Sequence, residues 1–357
     1  MSKLTVIRLV LVVFLLASFL SPAQPVFADK ANVCGAPGKD GPATALSGVI
    51  NSYYPGTGNV AVGATSIPVG SARAGGGPEI AAGDLLLIVQ VQGAEINATN
   101  TNNYGDGVGN GNTNVNTVVY SGANNYAGGH LATNFYAGNY EYVVAAGPVA
   151  AGAVPLATPT TIAFYNADFG AQGQRRFQVI RVPQYSSATL GGTLTAPAWD
   201  GTTGGFVVLD VAGQLNWNGN AINASGIGFR GGAGRQLGGD AGNWWDFRTP
   251  ATDTANGSKG EGYAGTPRYV FFNNALVDTL VEGYPNGSNG RGAAGNGGGG
   301  STDGNPTAND QNSGGGGGGN GGYGGMGGNS WSSGRVNGGY GGAPFPGSAP
   351  RLILGGG

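Results

Sequence analysis

Glycine restricts this chain more than any other feature: it fills 75 of 357 positions, and 29 of the last 68 counted from Gly290. An ordinary domain has about 7% glycine. At this density a helix is penalised every few residues. No window holds apolar residues at i, i+3, i+4 and i+7 for more than about a turn. What remains are short runs rich in Val, Ile, Tyr and Phe, each bounded by Gly, Asn or Pro. They predict strands at Val49–Tyr53, Thr65–Val69, Asp84–Gln92, Thr117–Tyr120, Tyr140–Ala146, Thr160–Phe164, Arg175–Val182, Phe206–Val211 and Tyr269–Phe272. The predicted fold class is all-β.

The runs suggest an order of modules. Residues 29–47 read as an N-terminal linker and 48–200 as a β-rich, sandwich-like module. Within 201–289, Val207, Leu209 and Val211 alternate, followed by Leu215 and Trp217, then Ile222 and Ala224, with Gly213 and Gly219 between the runs. Very short strands with tight corners can stack as rungs, so this stretch is predicted to be a short-rung parallel β-solenoid. Periodicity also leaves hairpins of a sandwich open there. Asn97–Asn116 is a polar insertion of Asn, Thr and Gly, expected to be a long surface loop suited to binding. Residues 290–357 form a glycine-rich segment, with Gly314–Gly328 broken only by Asn320, Tyr323 and Met326. It is either a flexible linker or a set of packed extended polyglycine strands, whose backbones can approach because no Cβ intervenes. Ordering entropy favours the linker.

The amino terminus points to export. Lys3 and Arg8 precede an apolar run from Leu9 to Leu20, Ser21-Pro22 breaks it, and Val26-Phe27-Ala28 offers a cleavage site. Residues 1–28 are therefore expected to be a signal peptide, and the protein to be secreted or held at the cell surface. A run of about a dozen residues is short for a span, which needs roughly 20. Cys34 is the sole cysteine, so no disulfide forms within the chain. It is expected to be a free thiol or a bridge to another chain.

Charge narrows the partners. Without Lys3 and Arg8 the chain keeps 14 Lys and Arg against 18 Asp and Glu, a net charge of −4. Such a balance offers no footprint for nucleic acid or an anionic membrane. Other surface proteins, glycans or further copies of the chain are the expected partners.

Motifs for chemistry are sparse. Gly226 to Gly231 matches a dinucleotide fingerprint, but the glycine-rich stretch that follows cannot supply the helix that would hold a pyrophosphate. Three collagen-like triplets begin at Gly35 and stop, whereas a triple helix needs a sustained repeat. Arg230 and Arg291 beside glycines resemble arginine–glycine tails, yet only Arg291, Arg335 and Arg351 are basic in the last 68 residues. Calcium-binding solenoid turns need Gly-Gly-x-Gly-x-Asp. Gly231 to Gln236 ends in Gln, and Gly298 to Asp303 has Ser301 in place of the second essential glycine. Calcium held by scattered Asp and Asn oxygens remains open, with no residue assignable. His130 is the only histidine, and one His with one Cys does not make a zinc site. No catalytic, cofactor-binding or metal-binding residue is assigned. Asp200 and Asp210 are the best candidates for a carboxylate pair of the kind glycosidases use, although turn and cap roles are commoner for such residues. Aromatic residues outside the expected core, namely Trp244, Trp245, Phe247, Tyr323, Trp331 and Tyr340, suit either stacking on sugars or pinning of the glycine segment.

Several stretches carry a resemblance. The runs Gly173 to Gly191, Gly204 to Gly232, Lys259 to Val270, Glu282 to Ala293 and the block closing in Arg351 to Gly355 resemble the glycine-rich N-terminal region of large secreted bacterial cell-surface proteins. In those proteins the region precedes tandem immunoglobulin-like repeats, and the whole is described as adhesin-like. The resemblance implies no catalytic or ligand residues. Because the chain stops within a glycine run, it is expected to be a fragment of a longer polypeptide. The functional expectation is a non-enzymatic extracellular module with an adhesion or envelope-structural role. Two alternatives stand beside it: a carbohydrate-binding or carbohydrate-active protein on a β-solenoid, and a self-associating glycine-rich matrix protein.

Overall fold

The computed structural model describes residues 35–101, 103–105, 129–131, 134–170, 173–234, 246–305, 310–330, 338–345 and 351–357. All belong to one compact unit, Val33–Gly357. The leader, Cys34, the predicted strand Thr117–Tyr120, most of the Asn97–Asn116 loop, Trp244, Trp245 and Trp331 lie outside the described residues.

The most apolar run makes the centre. Strand β4 (Leu85–Gly93) is buried along its whole length in a four-stranded antiparallel sheet of order β2-β7-β4-β5. Its partners are β2 (Ser52–Pro55), β5 (Tyr140–Val144) and β7 (Arg175–Val182). Strand periodicity sends alternate side chains to opposite faces. Leu86 and Ile88 join Phe164, Phe177 and Val179 on one side, while Leu85, Leu87, Val89 and Val91 join Ile180 and Trp199 on the other. Over the first face lies a small antiparallel pair, β3 (Ser66–Pro68) and β6 (Ala153–Pro155), which contributes Ile67 and Val154 to the same cluster. Covered on both faces, the sheet can be continuously hydrophobic.

A second sheet is parallel: β1 (Pro42–Val49) and β11 (Leu215–Asn216) flank β9 (Ser187–Thr195). Alongside it β8 (Gln184–Tyr185) pairs in parallel with β10 (Asp210–Val211). Antiparallel β12 (Gly231–Gly232), β13 (Tyr269–Phe272) and β14 (Ala275–Asp278) form a third sheet. The pair β15 (Asp303–Asn305) and β16 (Asp310–Asn312) completes the set.

All-β architecture therefore stands, but the solenoid expected over 201–289 does not. The chain makes several small sheets, none of them closed or curled. Parallel pairing does occur where rungs were expected, yet β10 and β11 are two residues each and stack on β8 and β9 from outside the stretch. Beyond the single bridge of Ile222 to Leu194 the chain leaves this stack for the antiparallel β12-β13-β14 sheet. A solenoid needs each rung to bury the one before it. Here Gly213 and Gly219 cut the runs too short to do so.

The described part of the glycine-rich segment adopts the packed alternative. The N–H of Gly314 donates to Gly328 O and that of Gly317 to Gly325 O, both at 2.8 Å. Gly339 and Gly342 donate to Gly314 and Gly317 at 2.9 Å, while Gly316 and Gly319 donate to Gly299 and Asn296 at 2.8 Å. Partners change every residue and return every third, the signature of extended threefold backbone rather than of a pleated ladder. No described glycine from Gly297 to Gly357 has a positive φ. The glycines are demanded by contact: a Cβ on Gly316 would lie 2.1 Å from Tyr340 O, and one on Gly319 2.1 Å from Ala343 O. Backbone bonds between neighbouring segments of the chain offset the ordering entropy that argued for a linker.

Candidate functional site

Beside the odd face of β4, Trp199 and the Asp200 turn meet the β13–β14 hairpin across a cleft of about 400 Å³. Behind the lining residues Trp199, Arg230 and Thr266 lies Glu261, which is fully buried. This carboxylate accepts from Arg230 Nε and Nη2 at 2.9 Å each, from Trp199 Nε1 at 3.0 Å and from Thr266 Oγ1 at 2.6 Å. Gln92 of β4 donates to Thr266 Oγ1 at 3.0 Å and so ties the central sheet to this buried cluster. Phe272 and Val277 give the cleft an apolar wall.

Each arginine lining the cleft already holds a carboxylate. Arg73 lies 3.2 Å from Asp200, Arg176 pairs with Asp168, and Arg230 pairs with Glu261. These pairs leave the cleft close to neutral. Burial pushes the Asp200 carboxyl up, but bonds from Thr203 and Thr202 outweigh it and hold the group below its usual value. Asp200 accepts from Thr202 N at 2.8 Å and Thr203 N at 2.9 Å, the pattern of a turn-capping carboxylate. Such a group is ionised at neutral pH and is poorly suited to donate a proton.

The structure does not bring the two sequence-nominated acids to one site. Asp200 lines the cleft, whereas Asp210 sits in β10, where it accepts from Gln184 Nε2 at 3.0 Å. His130 is buried, stacked on Phe135 at 3.7 Å and edge-on to Tyr263 at 6.1 Å. Burial, with Arg351 nearby, lowers it to about 4, so it is neutral across most of the ordinary range. Phe247 and Tyr340 are buried and meet edge to face at 5.5 Å, pinning the glycine segment rather than awaiting a sugar. Tyr323 alone of the described set is exposed, at 37%.

Several buried ionisable residues escaped sequence reading, because they lie in no recognisable motif; Asp84, Arg181 and Glu261 are among them. Lys259 is another, with no exposed surface. Its ammonium donates to the carbonyls of Phe247, Gly290 and Gly292 and lies 4.4 Å from the Tyr104 ring centroid. Burial, with Arg248 nearby, lowers its pKa well below the usual lysine value. Among the described residues no group of three or more His, Cys, Asp or Glu is placed to hold a metal.

The polyglycine bundle presents an uncharged surface. Gly315, Gly321, Gly322, Gly325 and Gly328 are exposed, and no Lys, Arg, Asp, Glu or His occurs from Gln311 to Ser330. No protein-family model, no curated protein and no solved structure matches the chain.

Proposed function

We propose that this chain is an exported, non-enzymatic surface module with an adhesive or envelope-structural role, acting by rigid display of an uncharged glycine face. One observation carries the reading. The ionic side chains around the cleft and core are engaged in the fold, while backbone amides of an ordered bundle are left facing solvent. Export is supported by the three-part leader at residues 1–28. The low charge and net acidity favour protein or glycan partners over nucleic acid.

The test is expression of the full chain in a bacterial host, followed by fractionation and binding of the exported protein to envelope preparations and glycan arrays. Accumulation outside the cytoplasm, with binding unchanged in Asp200→Asn and Asp210→Asn, is expected. Glycan turnover abolished by either substitution would sink the reading. A glycan-binding role is the second reading, favoured by the cleft's combination of Gln174, Thr202 and Thr279 with the apolar Phe272 wall. It predicts array binding that Phe272→Ala removes.

A further inference from the structure

A segment with three residues per turn presents three rows of backbone groups, each carrying one donor and one acceptor. It can therefore bond as many as six neighbouring segments. Segment 314–320 uses two of its rows. In the first, Gly314 and Gly317 donate to Gly328 and Gly325 and accept from Gly339 and Gly342. In the second, Gly316 and Gly319 donate to Gly299 and Asn296, and Gly319 accepts from Gly356 at 2.7 Å. The third row is Gly315, Gly318 and Gly321. Among the described residues its N–H and C=O groups have no backbone partner, and Gly315 and Gly321 are exposed. The neighbouring segment 324–328 adds Gly325 and Gly328, exposed and with N–H groups that have no backbone partner among the described residues. Among the described residues four neighbour positions are filled and two are vacant.

The residue types at this edge point the same way. A Cβ on Gly321, Gly325 or Gly328 would meet nothing within 4 Å, and none of the three has a positive φ. Their own fold does not require glycine, unlike Gly316 or Gly319. A bare backbone there is what close approach of another backbone requires. The open donors and acceptors recur every third residue, about 9 Å apart for extended threefold chain. A second threefold segment matches that spacing, whereas a pleated strand, with its period of two, does not.

From this edge we infer that the vacant positions are filled by the same edge of a second copy of this chain, extending the glycine bundle across a self-complementary interface. The inference rests on the proposed structural role and names the partner for it. A second copy is favoured because Gln311–Ser330 carries no ionisable charge of the acidic or basic kinds to repel its own image, and because an isologous contact uses one patch twice. Edges with unpaired backbone groups are templates for such addition.

The experiment is sedimentation of the exported chain over a wide concentration range, compared with Gly325→Glu/Gly328→Glu. Gly170→Glu serves as the control, since Gly170 is also exposed and open. Wild type and the control are expected to associate with concentration. The double variant should shift the association midpoint upward by about tenfold or more, as like charges across a contact demand, with an unchanged melting temperature. Should the double variant melt early, Gly321→Glu carries the same comparison. A wild-type chain that stays monomeric, variants that associate as wild type does, or an edge that captures crystalline polysaccharide while the chain remains single, would each overturn the inference. Export and envelope binding are read separately, so their failure is distinguishable from this one.

Discussion

Lys259 shows how a single charge can be accommodated without a counter-ion. Three carbonyls and an aromatic face replace its hydration shell, and the carbonyls come from two segments, 246–247 and 290–292. Replacement by Met keeps the volume but removes all three bonds; Phe247 O and Gly290 O keep the N–H groups of Gly292 and Gly300, whereas Gly292 O loses its donor, so Lys259→Met is expected to cost about 1–3 kcal/mol by denaturant melting. His130 gives a pH signature. Its folded value, about 4, lies below the unfolded value of 6.5. The unfolded chain therefore binds the proton more readily, and stability rises with pH between those two values. Melting temperature is expected to fall as pH drops from about 6.5 to about 4, and His130→Phe should flatten that part of the profile relative to wild type. An unchanged slope in the variant would remove His130 from the account.

Single glycines decide whether elements can meet. In β9, Gly191-Gly192 interrupts the β-type pattern, yet both residues lie mid-strand. A Cβ on Gly191 would come within 2.9 Å of Ala45 in β1, so the pair permits the close parallel approach of two strands. Sequence reading missed β9 and β1 for this reason. It placed β7 and β13 correctly, because β-branched and aromatic runs are bounded there by clear breaks. It overextended Phe206–Val211, of which only Asp210–Val211 pairs as strand, since Val207 and Val208 pack against the core without joining a ladder. The bundle supplies the sharpest comparison. Gly316→Ala, with its Cβ 2.1 Å from Tyr340 O, is expected to lose about 2 kcal/mol or more through forced separation of backbones. Gly325→Ala, in open space, is expected to be neutral or to gain up to about 1 kcal/mol by restricting the unfolded chain. Equal melting temperatures for the two would refute the close-packed description.

Across the whole molecule the glycine bundle is part of the folded unit. Gly357 N–H donates to Glu261 O at 2.9 Å, Leu352 N–H to Gly138 O at 2.9 Å, and Arg351 to the carbonyls of Ala137 and Phe135 at 2.8 and 2.9 Å. Leu354 is buried in the same cluster as Tyr263 and Phe345. Removing residues 351–357 is therefore expected to lower the melting temperature of the entire unit in one transition. A separate early transition, with the main one unmoved, would show the bundle to be an appendage.

Composition and short-range pattern were enough for the all-β class, for the central strand, predicted at Asp84–Gln92 and found at Leu85–Gly93, and for the finding that no sequence motif assigns catalysis. Those properties depend on each residue and its near neighbours. Tertiary structure alone decided that the glycine segment would order, that the solenoid would not form, and that Lys259 and Glu261 would be buried. Each of these depends on which distant backbone comes alongside. A residue without a side chain carries no pattern by which its partner could be read.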